Sequence, residues 1–99
     1  LIHEITNRVL RKYDDCEIKE LTPSCSVIVF PGFRLIIKAT FDYSVYLEIS
    51  FKSNLKIYLD CNLEVYSKVL ERNAKMNDIL TFIDKVRSFM EKTILVNTL

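Results

Sequence analysis

From Val45 to Asp60 the chain alternates apolar and polar residues with a period of two, and this pattern constrains the fold more than any other feature. Val45, Leu47, Ile49 and Phe51 fall on one side, and Tyr46, Glu48, Ser50 and Lys52 on the other. After Lys52-Ser53-Asn54 the alternation resumes, with Leu55, Ile57 and Leu59 set against Lys56, Tyr58 and Asp60. One apolar and one wet face define an antiparallel meander covered on a single side. Upstream, Thr22-Pro23-Ser24 and Pro31-Gly32 are turn signals, because proline presets φ and the sole glycine accepts φ above zero. They bound two runs rich in Val, Ile and Phe, Cys25 to Phe30 and Phe33 to Phe41. Glu17 to Leu21 is a weaker first strand, giving four to five strands in all.

Helical periodicity frames the strands. Ile2, Ile5, Val9 and Leu10, with Tyr13 beyond, recur three to four residues apart, and Glu4, Asn7, Arg8, Arg11 and Lys12 fall between them. This predicts an amphipathic N-terminal helix over residues 1–13, ended by Asp14-Asp15; its narrow stripe suits a packed helix or the end of a coiled coil. Beyond Cys61 the period changes again. Asn62 is placed to cap a helix from Leu63 to about Ala74, Asn73 to Asn77 interrupts it, and a second helix runs from Ile79 to about Leu95. The wide apolar face of that last helix, including Phe82, Ile83, Val86 and Phe89, must cover the open face of the sheet. The expected fold is therefore a single α+β domain over residues 1–99, an antiparallel meander with helices on one face. Its core is expected to hold Val45, Leu47, Ile49, Leu55, Ile57, Phe82, Ile83, Val86 and Phe89.

Composition narrows the function. Ninety-nine residues, 49% of them hydrophobic and 27% charged, make one globular domain. Fourteen basic against thirteen acidic residues lack the basic excess of a nucleic-acid binder, so no direct nucleic-acid partner is expected. No run approaches the roughly 18 apolar residues of a membrane span, and no membrane partner is expected. The chain starts at Leu1 and not at methionine, and is read as a piece of a longer protein.

Residues for catalysis are scarce. His3, the one histidine, stands near the start of the first helix, where nothing encloses or orients a general base. Cys16, Cys25 and Cys61 are an odd set on separate elements with no CxxC spacing, read as reduced, half-buried apolar side chains and not as metal ligands. A single glycine builds no phosphate-cradling loop. Asp14-Asp15 reads as a solvated turn. No enzyme activity, metal or cofactor is expected. What remains is apolar and aromatic surface: Tyr43, Tyr46 and Tyr58 on the outer side of the sheet, and the stripe of Ile2, Ile5 and Val9, are the candidate protein-interface residues. Tyrosines on a sheet also serve as simple cross-strand pairs.

The element order, with Asp15-Cys16-Glu17-Ile18-Lys19-Glu20-Leu21 directly after a helix, resembles the RWD-type globular heads of coiled-coil kinetochore proteins. The run from Asn77 through Asp78-Ile79-Leu80-Thr81-Phe82-Ile83-Asp84-Lys85-Val86-Arg87-Ser88-Phe89 to Met90 is similar to the last helix of the spindle-pole-component heads in the outer-kinetochore NDC complex. It is also similar to the closing helix of the C-terminal domain of the mitotic-arrest-deficient checkpoint coiled-coil protein, and monopolin heads are a third relative. The resemblance implies a nuclear head at the kinetochore or centromere, acting in mitosis and cell division. It implies a homodimer, or a heterodimer with a related RWD-type subunit, that recruits other kinetochore proteins. An RWD-like adaptor in another pathway, or a small regulatory or viral α+β binding protein, are the alternatives.

Overall fold

The computed structural model describes residues 2–39, 45–51, 55–60 and 69–98, with the side chains of the last two segments described over 55–58 and 75–90. The elements run α1 (Ile2–Lys12), β1 (Glu17–Leu21), β2 (Cys25–Phe30), β3 (Phe33–Ala39), β4 (Val45–Phe51), β5 (Lys56–Asp60) and α2 (Val69–Thr98). The strands form one open antiparallel sheet in chain order, β1-β2-β3-β4-β5, so the domain is α+β with a meander at its centre.

The alternation sets the faces as expected. Register aligns Ile18, Ile28, Leu35, Ile49 and Ile57 in one cross-strand row, and Ser26, Ile37 and Leu47 in the next. Ile28, Leu35, Ile37, Val45, Leu47 and Ile49 are fully buried on this inner face. A third row, Phe30, Phe33 and Phe51, closes one end; Phe30 and Phe33 stack with centroids 4.8 Å apart and planes 8° from parallel. The helix α1 crosses β2 and β3 on this face, and α2 completes the same core with Met76, Ile79, Ile83 and Val86.

Three expectations need correction. The break at Asn73–Asn77 does not occur, since α2 is continuous through it; residues 63–68 of the expected helix lie outside the described residues. An interior asparagine costs a helix only about half a kcal/mol, and the buried Met76 and Ile79 continue the apolar seam across the proposed gap. Phe89 is not in the core but 61% exposed. The seam steps Met76, Ile79, Ile83, Val86 and then Met90, four residues on, which leaves Phe89 beside it. Leu55 is also exposed: it precedes β5 at the end of the ladder, where the Phe51 N–H donates to its carbonyl. Phe82 and Ile57 are half-buried against the core.

The β2–β3 hairpin turns on Pro31 and Gly32, with φ of 93° at the glycine, the sign a type II turn requires at its third position. A methyl group on Gly32 would meet the Met90 thioether methyl as well as the positive φ. Gly32→Ala is expected to lower stability by roughly 1–3 kcal/mol in urea unfolding. Met90→Ala in the same chain should recover the steric part and leave the backbone part.

The strand β1 forms an edge with all five residues exposed. A bulge between Ile18 and Glu20 leaves Lys19 out of the pairing. Bulges on edge strands raise local twist and hinder the addition of a further strand.

Candidate interaction surface

The six residues expected at an interface divide sharply. Ile2, Ile5 and Val9 are 3%, 0% and 0% exposed, inside the chain's own core and not at its surface. Once α1 lies across β2 and β3, its narrow stripe is the side that meets the sheet. Thr6, on the same side, is buried as well; its hydroxyl donates to the Ile2 carbonyl at 2.7 Å and shares a hydrogen bond with the Ser26 hydroxyl at 2.9 Å. A buried hydroxyl pair satisfied in this way costs little and fixes the axial position of α1 on β2. Tyr43 lies outside the described residues. Tyr46 and Tyr58 are on the outer face, as the alternation requires.

That outer face is built from three cross-strand rows. Glu17, Val29, Arg34, Ser50 and Lys56 form the first; Glu20, Val27, Ile36, Glu48 and Tyr58 the second; Cys25, Lys38, Tyr46 and Asp60 the third. Both described helices lie on the opposite face. Val27, Val29, Ile36 and Tyr46 are therefore only half-buried, and Tyr58 is 60% exposed. Glu48, in the middle strand row, is only 7% exposed. The Tyr58 hydroxyl donates to its carboxylate, a bond that raises the tyrosine's pKa because ionisation would put two anions together. Lys56 Nζ stands 3.8 Å from Glu48 Oε1. The tyrosine thus partly serves as the cross-strand partner of a buried carboxylate, besides offering ring surface.

A second constellation, not foreseen from the sequence, ties α1, the turn that follows it and α2 together. Arg87 donates two bonds of 2.8 Å to the two carboxylate oxygens of Asp15, which is exposed in a bend as expected but is also paired. Its guanidinium lies 4.9 Å from the centroid of Tyr13 and 5.7 Å from that of Phe30. The Tyr13 hydroxyl donates to Asp84 at 2.6 Å, and Lys12 donates to the other oxygen of Asp84 at 2.7 Å. Burial, and then the bond to Asp84, push the Tyr13 hydroxyl far above the ordinary phenol range. Burial also raises the Cys16 thiol, which donates to the Tyr13 carbonyl. Beside this cluster a hollow of about 300 Å3 opens between the hairpin and Arg87 and Met90, floored by Phe30 and Phe33. Its two charged lining residues, Asp15 and Arg87, pair with each other, so the cluster reads as the clamp that fixes α2 on the sheet.

The clamp is expected to make stability pH-dependent. The bonds from Arg87 hold the Asp15 carboxyl below its ordinary value. Burial alone would raise Asp84, but the bonds from Lys12 and Tyr13 outweigh it and hold that carboxyl low too. Groups with lowered folded-state pKa stabilise above the unfolded value of about 3.9 and lose that contribution as pH falls through the folded value. The urea midpoint is expected to fall between about pH 5 and about pH 2, and Asp15→Asn with Asp84→Asn should flatten the decline.

Among the described residues no group of three or more His, Cys, Asp and Glu side chains is placed to hold a metal ion, and no helix is long and apolar enough to cross a membrane. Cys16 and Cys25 are free and half-buried, while Cys61 lies outside the described residues. The chain matches no protein-family model, no curated protein and no solved structure.

Proposed function

We propose that this domain is a non-catalytic protein-binding head of a coiled-coil protein of the kinetochore or spindle checkpoint. The observation that supports binding is the outer sheet face: half-buried Val27, Val29, Ile36 and Tyr46 beside an exposed Tyr58, on a sheet whose other face both helices cover. A domain of this size completes its core on one side and keeps an apolar and aromatic centre, set among charged residues, on the other, where a partner can cover it. The cellular setting rests on the likeness of the helix–strands–helix order and of Asn77–Met90 to RWD-type heads. Dimerisation with itself or a related head, and recruitment of further kinetochore proteins, belong to the same reading. With Ile2, Ile5 and Val9 buried, this reading puts the contact on the sheet and not on α1.

The test is the position of the full-length protein in dividing cells and its dependence on one side chain. A fluorescent fusion is expected to form paired foci at centromeres in mitosis. Ile36→Thr keeps a β-branched residue in β3 and removes apolar surface, and should lower recruitment of the bound partner by about fivefold or more. A diffuse signal throughout mitosis would overturn the kinetochore setting.

A further inference from the structure

We infer that the outer face binds one amphipathic helix of a partner protein, laid along β2, with basic residues on one flank of its apolar stripe and acidic residues on the other. The inference rests on the interaction-module reading and names the kind of partner that face takes. The support is the order of charges across the sheet. On β2, Val27 and Val29 are apolar and half-buried, and Ile36 of β3 stands beside Val27. On the β1 side their row partners are Glu20 and Glu17, both exposed. On the β3 side Arg34 and Lys38 stand two residues before and after Ile36, facing the same way. An aliphatic centre is thus bordered by exposed carboxylates on β1 and by cations on β3; Glu48 of β4, behind Ile36, is largely buried and accepts from Tyr58.

The dimensions fit a helix. The strands β1 and β3 each lie one strand spacing from β2, so the two charged borders are about 10 Å apart, close to the width of a helix with its side chains. Six residues of β2 extend about 20 Å, the length of roughly 13 helical residues. An extended strand would need one of the two sheet edges, β1 or β5; on β1 the bulge at Lys19 breaks the regular ladder, and β5 lies at the far side of the sheet from the Val27–Val29 centre. The face offers apolar area in its middle and opposite charges at its borders, the reverse of an edge prepared for backbone pairing.

Three labelled peptides of about 13 residues, held helical by a side-chain staple and sharing one Leu/Ala stripe, provide the test. One carries Lys on one flank and Glu on the other, one Lys on both, and one Glu on both. With the 99-residue chain, the split-flank peptide should bind about tenfold or more tighter than either uniform peptide, less so at high salt. Methyl resonances of Val27, Val29 and Ile36 should shift on its addition. In Glu17→Lys/Glu20→Lys both borders become basic, and preference should move to the all-Glu peptide. Equal affinities, unsaturable binding, or shifts confined to the amides of β1 or of β5 would overturn the inference, the last in favour of strand addition. If the peptides fail while Ile36→Thr still releases the cellular partner, the helix is wrong and the binding head stands.

Discussion

Ile5→Glu is expected to unfold the domain, not to release a folded monomer from a dimer. Ile5 has no exposed surface and sits between α1 and the sheet in the core cluster of the described residues, with Ile2 and Val9 on the same side. The described core cluster around it is apolar, and burying a carboxylate there costs several kcal/mol, comparable with the roughly 5–15 kcal/mol that holds a domain of this size together. Circular dichroism should show the cooperative thermal transition lost or moved far below that of the unaltered chain. Sedimentation distinguishes the alternatives: a folded monomer made from a dimer would return the stripe to an interface, whereas an expanded, aggregation-prone chain places it in the core. The same substitution therefore tests the interface expected from the sequence against the packing observed.

What the sequence disclosed, and what it did not, follows from the reach of each signal. Period two is a local property, so the faces of β4 and β5 were legible, and with them the outward placement of Tyr46 and Tyr58. A helical stripe is local too, but whether it meets its own sheet or another chain is a tertiary fact. Ile2, Ile5 and Val9 could serve either end until α1 was seen across β2 and β3. The seam of α2 shows the same limit. Asn73, Asn77 and Asp78 look like a break, yet Met76 continues the buried spacing and its signal was present in the sequence. Phe89 and Met90 are adjacent and both apolar, and the close approach of Met90 to Gly32 marks which of them the seam follows.

The Arg87–Asp15 pair lies 72 residues apart in sequence and had no local signature at all. Charge order across the sheet was equally hidden. Glu17 and Glu20 become neighbours of Val29 and Val27 only through the bulged register of β1, which no alternation rule predicts. The site is thus written in the pairing of strands more than in any one of them.

Adjacent residues of β3 provide the strictest check on that pairing. Leu35 is fully buried between Ile28 and Ile49, and Leu35→Ala is expected to cost about 2–5 kcal/mol, since the rigid rows on either side cannot collapse into the space left. Ile36, one residue on, faces the outer side between Val27 and Glu48 and is half-buried, so Ile36→Thr should cost about 1 kcal/mol and act chiefly on binding. Urea unfolding of the two variants side by side measures both. A slip of one residue in the register exchanges the faces and would exchange the two results. If Ile36→Thr proved the more destabilising, the outer face would be a second core, and neither the tyrosines nor the charged borders would be available to a partner. If Leu35→Ala is the costly one while Ile36→Thr leaves the unfolding transition nearly in place and weakens capture of the partner, stability and binding occupy opposite sides of one strand.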